Sequence, residues 1–244
     1  MIFLGLIIAL PTWLIATIGG ALIVGHNAFD GLRPTNALLA ILHGPGFVVQ
    51  REGFTIFASY PLIPWIGVTA LGFALAGVLS WEPALRRSWL LKAGLAAIAA
   101  FIAILALNIY GDPAPWTAQA TALRTIASFI NTTKYPPSLL YVLMTLGPAL
   151  LLLRWFEKSE PTKWASVLMA YGRVPFFYFA THFFMHHAAA AAGALVRYGS
   201  WHWFFESPDL GNYPFTRPPE WGYSLPVVYA VWIGVVVALY PWSA

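Results

Sequence analysis

The stretch Asn131-Thr-Thr-Lys134-Tyr-Pro-Pro137 runs directly into an apolar segment that extends from Ser138 to Leu153. An α-helix needs about 20 predominantly apolar residues to cross the roughly 30 Å hydrocarbon core of a bilayer. The segment is long enough to enter a bilayer, and the proline pair suits a helix start, where the first turn needs no N–H partners. A lysine and an asparagine at such a place are either anchors at the membrane surface or the rim of a site.

The composition of the whole chain agrees with a membrane location. Of the 244 residues, 59% are hydrophobic and only 9% are charged, whereas soluble domains carry roughly 25% charged residues. So few charged residues cannot cover the surface of a water-soluble protein. We therefore predict an integral membrane protein whose main partner is the lipid bilayer. The thirteen Lys and Arg form no basic face, which excludes a nucleic-acid partner, and the absence of Cys excludes disulfides and thiolate metal sites.

Hydrophobic segments predict an all-α fold, a polytopic transmembrane helical bundle with about six spans. The bundle forms a single transmembrane domain over residues 1–244. Pro11 interrupts the first span, which helices in lipid tolerate better than helices in water. The predicted spans cover about residues 2–24, 56–79, 89–110, 137–153, 175–196 and 225–240.

Basic residues predict the orientation of the chain. The short connection after the second span carries Arg86 and Arg87, and the one after the fourth carries Arg154, Lys158 and Lys163. Loops rich in Lys and Arg stay on the cytoplasmic side. Both chain ends are therefore predicted to be cytoplasmic.

The fifth predicted span contains Tyr178, His182 and His186 at four-residue spacing, which places the three side chains on one helix face. An ionisable residue within a span is by default a candidate for function, and a neutral imidazole can act as a general base. The alternative is a histidine hydrogen-bonded to a neighbouring helix. The two histidines also have the spacing of metal ligands, but no third ligand is in view and no metal is predicted.

Two further polar clusters lie at the ends of spans. His26 and Asp30 follow the first span, where they form either an oriented base or, as we favour, a polar loop. Lys134 can neutralise an anionic group and Asn131 can hydrogen-bond an oxygen of a ligand. The alternative is that Lys134 extends toward the membrane surface and Tyr135 belongs to its aromatic belt.

Several segments of the chain occur together in an order that is typical of one family. They are Gly25-His-Asn27, Tyr60-Pro-Leu-Ile-Pro-Trp-Ile-Gly67, Asn108-Ile-Tyr-Gly-Asp-Pro113, Thr133-Lys-Tyr-Pro-Pro-Ser-Leu-Leu140, Thr145-Leu-Gly-Pro148, and Gly172-Arg-Val-Pro-Phe-Phe-Tyr178 with His182. This set resembles bacterial multi-span proteins of the heparan-α-glucosaminide N-acetyltransferase-like family, within the wider integral-membrane acyltransferase superfamily. The resemblance covers nearly the whole chain.

The resemblance implies a helical bundle that moves an acyl group, typically acetyl from acetyl-CoA or another acyl-CoA, to a sugar amine or hydroxyl of a glycan or lipid acceptor. It implies a bacterial cytoplasmic (inner) membrane. His182 becomes the predicted catalytic residue. The predicted substrate-binding residues are Asn131, Lys134, Tyr135, Arg173, Tyr178, His186, His26 and Asp30.

One departure from the family leaves enzymatic activity open. Family members are longer and begin with about four further spans, which carry the proposed catalytic histidine. The chain is therefore expected to correspond to the carboxy-terminal part of the family's architecture. Two other functions stay open: a transporter or flippase of a polar lipid or glycan, and a non-catalytic membrane subunit. A homo-oligomer also stays open.

Overall fold

The computed structural model describes residues 2–32, 35–51, 54–157, 162–205, 218 and 220–243. Within these ranges the chain forms ten α-helices and one two-stranded sheet, so it is mainly helical. Five helices of the described chain are long and apolar enough to cross a membrane: Thr12–Phe29, Leu62–Leu79, Pro83–Leu107, Leu139–Phe156 and Leu225–Trp242. These helices indicate an integral membrane protein, as the composition predicts.

The chain divides into two compact units, Met1–Ser159 and Glu160–Ala244. The second unit contains α8 (Lys163–Arg173), α9 (Pro175–Tyr198) and α10 (Leu225–Ser243). The first unit contains α1 (Ile2–Ile7), α2 (Thr12–His26), α3 (Ala37–Leu42), β1 (Gly46–Arg51), β2 (Phe54–Ala58), α4 (Leu62–Leu79), α5 (Pro83–Leu107), α6 (Ala122–Ile130) and α7 (Leu139–Phe156).

Two helix pairs form the framework of the first unit: α2 packs along α4, and α5 packs along α7. Glycines lie at both contacts. A methyl group on Gly19 of α2 would lie 2.9 Å from the carbonyl oxygen of Gly67 in α4, and one on Gly147 of α7 would lie 2.7 Å from Ile98 Cγ1 in α5. Small residues let helix backbones approach closely in lipid, where packing rather than water drives association. The glycines therefore set the spacing of both pairs.

An apolar cleft of about 980 Å³ lies between α2, α4 and α7 in the first unit. Trp65 and Pro137 border one end of the cleft, while Trp81 and Trp89 border the other. The walls of the cleft belong to helices that are apolar enough to span a membrane.

The second unit is held together through α10, which packs against both α8 and α9. The hydroxyl of Tyr171 in α8 donates a hydrogen bond of 2.6 Å to the carbonyl oxygen of Val236 in α10. Helix α9 ends at Gly199, whose φ of 71° lies in the left-handed region that glycine adopts without strain.

The structure changes the limits of several predicted spans. The first span is two helices, because Pro11 separates α1 from α2. The second begins at Leu62 instead of residue 56, since Phe54–Ala58 pairs with Gly46–Arg51 as an antiparallel hairpin that the all-α prediction omits. The third begins at Pro83, six residues before the predicted start at residue 89.

The fifth predicted span corresponds to α9, which begins at Pro175 as predicted and has 24 residues. At 1.5 Å per residue this helix is about 36 Å long, enough to cross a bilayer. Its three histidines make it less apolar than the five helices named above. The count of six spans therefore stays a prediction.

Replacement of Gly19 by alanine should loosen the α2–α4 pair, whereas the same change at Gly20 should not. The new methyl group at position 19 would meet Gly67 and Ala70 at 2.9 and 3.0 Å, while at position 20 nothing lies within 4 Å. Overpacking of this kind costs about 1–3 kcal/mol. Thermal unfolding in detergent should show a lower midpoint for Gly19→Ala. Gly20→Ala should keep or raise the midpoint, since alanine favours helix; equal midpoints for the two variants would contradict the close contact.

Candidate functional site

The segment between α6 and α7, which carries Lys134, is fixed by the carboxylate of Asp112. One oxygen accepts from the Ala114 amide at 2.9 Å and the Thr133 hydroxyl at 2.8 Å. The other accepts from the Thr133 amide and the Ser138 hydroxyl, both at 2.7 Å. An ionised carboxylate only accepts hydrogen bonds, so these four donors suit its charged form. Asp112 therefore ties both ends of the Thr133–Ser138 segment to one point.

The start of α7 has its free N–H groups satisfied by other parts of the first unit. The amide of Leu139 donates to Asn27 Oδ1 at 2.9 Å, and that of Leu140 donates to the carbonyl oxygen of Gly111 at 3.0 Å. The amide of Tyr141 donates to the Ser138 hydroxyl at 3.0 Å. The first N–H groups of a helix have no partner within the helix. Groups from other segments and Ser138 supply the acceptors for these N–H groups. We call Asn27, Asp112, Thr133 and Ser138, together with His26, the polar clamp.

His26 and Asp30 form hydrogen bonds with different partners near the start of α7. His26 is 2% exposed, and its Nε2 donates to the carbonyl oxygen of Pro137 at 2.9 Å, since a carbonyl oxygen only accepts. Asp30 accepts a 2.7 Å hydrogen bond from the side-chain amide of Asn27. Asp30 thus orients Asn27 toward α7, which is the arrangement of a polar loop rather than that of a His–Asp base.

The proline pair precedes α7 and does not occupy its first turn. Ser138 is the residue before the helix, and its hydroxyl caps the Tyr141 amide. A serine at this position commonly satisfies a free N–H of the first turn. The polar clamp needs Ser138 there, because the same hydroxyl also donates to Asp112.

Lys134 and Tyr135 lie together on the surface of the first unit. Lys134 Nζ is 5.1 Å from the centre of the Tyr135 ring, which contacts the rings of Tyr60 at 5.4 Å and Trp65 at 6.5 Å. A hydrogen bond with the Tyr135 phenol raises the pKa of Lys134, while the neighbouring ammonium lowers the pKa of Tyr135. Lys134 therefore stays cationic. The Tyr135 ring contacts both Lys134 and Trp65, and Trp65 borders the cleft.

Asn131 does not join this pair. It ends α6 and borders a separate cavity of about 60 Å³, which Asp112 and Trp116 also line. A cavity of this size holds only a few water molecules. Asn131 is thus placed beside Asp112 of the polar clamp.

Tyr178, His182 and His186 share one face of α9, as their spacing predicts. His182 Nδ1 lies 2.8 Å from the carbonyl oxygen of Tyr178, and His186 Nδ1 lies 2.7 Å from that of His182. The rings of Tyr178 and His182 stack almost parallel, with centres 5.2 Å apart. All three side chains are half-buried. We call these three residues the histidine face.

The hydrogen bonds of the histidine face select one neutral form of each imidazole. A carbonyl oxygen only accepts, so Nδ1 carries the proton in neutral His182 and neutral His186. The other nitrogen, Nε2, is then unprotonated and basic. Each imidazole can therefore take up a proton at Nε2 while its own helix holds it in place.

Arg173 lies at the end of α8, exposed, and Val174 separates it from the first residue of α9. Arg173 and His182 are nine positions apart in sequence, and α9 begins between them at Pro175. The Tyr171 ring contacts Tyr178 at 5.5 Å, so the α8–α10 contact also supports the histidine face. Arg173 is near the end of this face but not in contact with the imidazoles.

Sequence reasoning did not identify Asp112, Thr133 and Ser138 as partners of the proposed site. A serine directly before an apolar run is typical of a helix N-cap, and Asp112-Pro113 is typical of a turn. These local patterns indicate the cap and the turn but not the hydrogen bonds between them. In the described part of the chain, no third His, Cys, Asp or Glu joins His182 and His186 in a group that could hold a metal ion.

No family model matches the chain, and no similar protein is found among the curated proteins or the solved structures. Membership of the N-acetyltransferase-like family therefore stays a prediction from the ordered sequence segments. The contacts within each unit are the observations on which a function can be proposed.

Replacement of Asp112 by alanine should destabilise the first unit far more than replacement of Asp30. Asp112→Ala removes the common acceptor of four hydrogen bonds, while Asp30→Ala removes one. Hydrogen bonds to charged groups contribute about 1.5–3 kcal/mol each, so we expect Asp112→Ala to lower the unfolding free energy by at least about 3 kcal/mol.

Chemical unfolding of the purified protein in detergent measures this difference. Asp30→Ala is the matched control, since it removes the same charge from the same unit. A midpoint for Asp112→Ala as high as that of the wild type would mean that the polar clamp does not hold α7.

Proposed function

We propose that the protein is an integral-membrane acyltransferase, in which His182 acts as the general base. The observation that carries this proposal is the hydrogen bond from His182 Nδ1 to the Tyr178 carbonyl oxygen, at 2.8 Å. It leaves Nε2 as the basic nitrogen of a half-buried imidazole that is held by its own helix. This is the protonation state that general base catalysis requires.

The donor in this proposal is acetyl-CoA or another acyl-CoA, and the acceptor is a sugar amine or hydroxyl. His182 Nε2 takes the proton from the acceptor as its nitrogen or oxygen forms a bond with the thioester carbonyl carbon. The carbon–sulfur bond breaks, CoA leaves as a thiolate, and the proton on Nε2 returns to the thiolate sulfur. The imidazole is regenerated, so no metal or redox partner is needed for the balance of this reaction.

The remaining residues of the second unit have supporting roles in the proposal. The Tyr178 ring stacks on His182 and restricts its rotation. Arg173 is exposed beside the start of α9, where its planar guanidinium can bind a phosphate of CoA through two hydrogen bonds. His186 presents a second basic Nε2, one helical turn further along, that can hydrogen-bond an acceptor hydroxyl.

The orientation of the spans fits a donor from the cytoplasm. In the proposed topology, the connection that carries Arg86 and Arg87 is cytoplasmic by the positive-inside rule. In the proposed topology both chain ends are also cytoplasmic, and the membrane is the bacterial inner membrane. Arg173 then faces the compartment that holds acyl-CoA.

The test is transfer of radiolabelled acetyl from acetyl-CoA to endogenous acceptors, in membranes that contain the full-length gene product. Loss of a general base slows proton transfer by about 10²–10⁴-fold, so His182→Ala should lower transfer by that amount. His202→Ala is the control, because His202 lies in an exposed turn and pairs with Ser200. Equal transfer by wild type and His182→Ala would remove His182 from the mechanism.

A transporter of a polar lipid is the second candidate, and the apolar cleft of about 980 Å³ between α2, α4 and α7 favours it. Such a cleft can admit the apolar part of a lipid while its headgroup crosses the membrane. Lipid movement in proteoliposomes that lack any acyl donor would distinguish this function from acyl transfer.

A further inference from the structure

The apolar cleft of the first unit is long as well as large. Along α4 its wall runs from Trp65 to Val78, which is about 20 Å of helix at 1.5 Å per residue, and it continues to Trp81 beyond the end of α4. Ligand pockets in proteins span roughly 300–1,000 Å³, and the volume of about 980 Å³ is at the upper end of that range. An elongated apolar space within the membrane-spanning helices suits a hydrocarbon chain.

One end of the cleft leads to the cation at Lys134. Trp65 and Tyr141 line the cleft, and Trp65 contacts the Tyr135 ring that lies under Lys134 Nζ. The side chains at this end thus change from apolar to aromatic to cationic, which is complementary to the change from acyl chain to phosphate along a phospholipid.

We propose that the cleft binds an anionic phospholipid, with an acyl chain between α2, α4 and α7 and the phosphate at Lys134. The proposal does not depend on acyl transfer, which was assigned to the second unit. The partner is identified by its chemistry: an apolar chain for the cleft and a negative charge for the exposed ammonium.

The carboxylates near this end accept hydrogen bonds from donors other than Lys134. Asp112 already accepts four hydrogen bonds, and Asp30 accepts one from Asn27. In the described part of the chain, no carboxylate forms an ion pair with Lys134. The ammonium is therefore available to a ligand phosphate.

Two variants separate the contributions of the chain and the charge. Gly72→Leu places a side chain in the cleft, because Gly72 lines it and a Cβ atom added there would meet no atom within 4 Å. Gly20→Leu is its control, since it has the same free space but lies outside the cleft wall. Lys134→Gln removes the cation, with Lys92→Gln, an exposed lysine on α5, as the charge-matched control.

Native mass spectrometry of the purified full chain measures the binding of one added lipid. The probes are phosphatidylglycerol and phosphatidylcholine with identical acyl chains. A lysine near an anionic lipid surface contributes about 1 kcal/mol, so Lys134→Gln should weaken phosphatidylglycerol binding about fivefold. It should leave phosphatidylcholine binding unchanged. Gly72→Leu should weaken the binding of both lipids, and the two control variants should bind as wild type.

Three results would overturn the proposal. One is equal binding of the two lipids by wild type, which would show that no anionic headgroup is recognised. Another is wild-type binding by Gly72→Leu, which would place bound lipid on the outer surface of the helices. The third is an equal loss in Lys134→Gln and Lys92→Gln, which would assign the effect to net charge. Lys134 is fully exposed, so its replacement should leave folding intact.

Discussion

The free N–H groups at the start of α7 set the strongest constraint on the first unit. This helix is apolar, and within a bilayer no water can satisfy an exposed backbone group. The structure meets the requirement with Asn27 from the end of α2, the carbonyl oxygen of Gly111 from the segment after α5, and Ser138 itself. Asp112 in turn accepts from Ser138. The start of α7 is therefore joined to the α2–α4 pair and to the segment that follows α5. These bonds hold the cleft wall in place at the end that Pro137 borders.

The same chemistry explains how the imidazoles of α9 are held in place. A half-buried histidine needs a partner for its N–H group, and the acceptors here are carbonyl oxygens of its own helix. Tyr178 and His182 supply those oxygens. Since the Nδ1 atoms of both imidazoles are satisfied within α9, the basic Nε2 atoms are not committed by these bonds. In each ring, Nδ1 thus makes the hydrogen bond to the helix, while Nε2 is the nitrogen of the proposed function.

Hydropathy predicted most helices of the chain because each long helix carries its own apolar signal. Five of the six predicted spans correspond to helices that are apolar enough to cross a membrane. The start of α9 at Pro175 also followed from sequence, since proline suits the first helical turn. The β-hairpin did not, because Phe54–Ala58 is as apolar as the span that follows it. Hydropathy alone could not separate strand from helix there.

The polar clamp could not be predicted, because its bonds join residues that are far apart in sequence. Asn27 and Leu139 are separated by 112 positions, and Asp112 and Ser138 by 26. A local pattern shows Ser138 as a helix cap but gives no sign of its second partner. The histidine face, by contrast, follows from i, i+4 spacing alone, since its members and their acceptors belong to one helix.

Amide hydrogen exchange at the start of α7 tests the central claim most directly. First-turn amides of a helix normally exchange fast, because they have no partner within the helix. If distant polar groups hold this helix start, the amides of Leu139, Leu140 and Tyr141 in the wild-type protein will exchange as slowly as those in the middle of α7. Exchange at the rate of an open loop at these three positions would contradict the account.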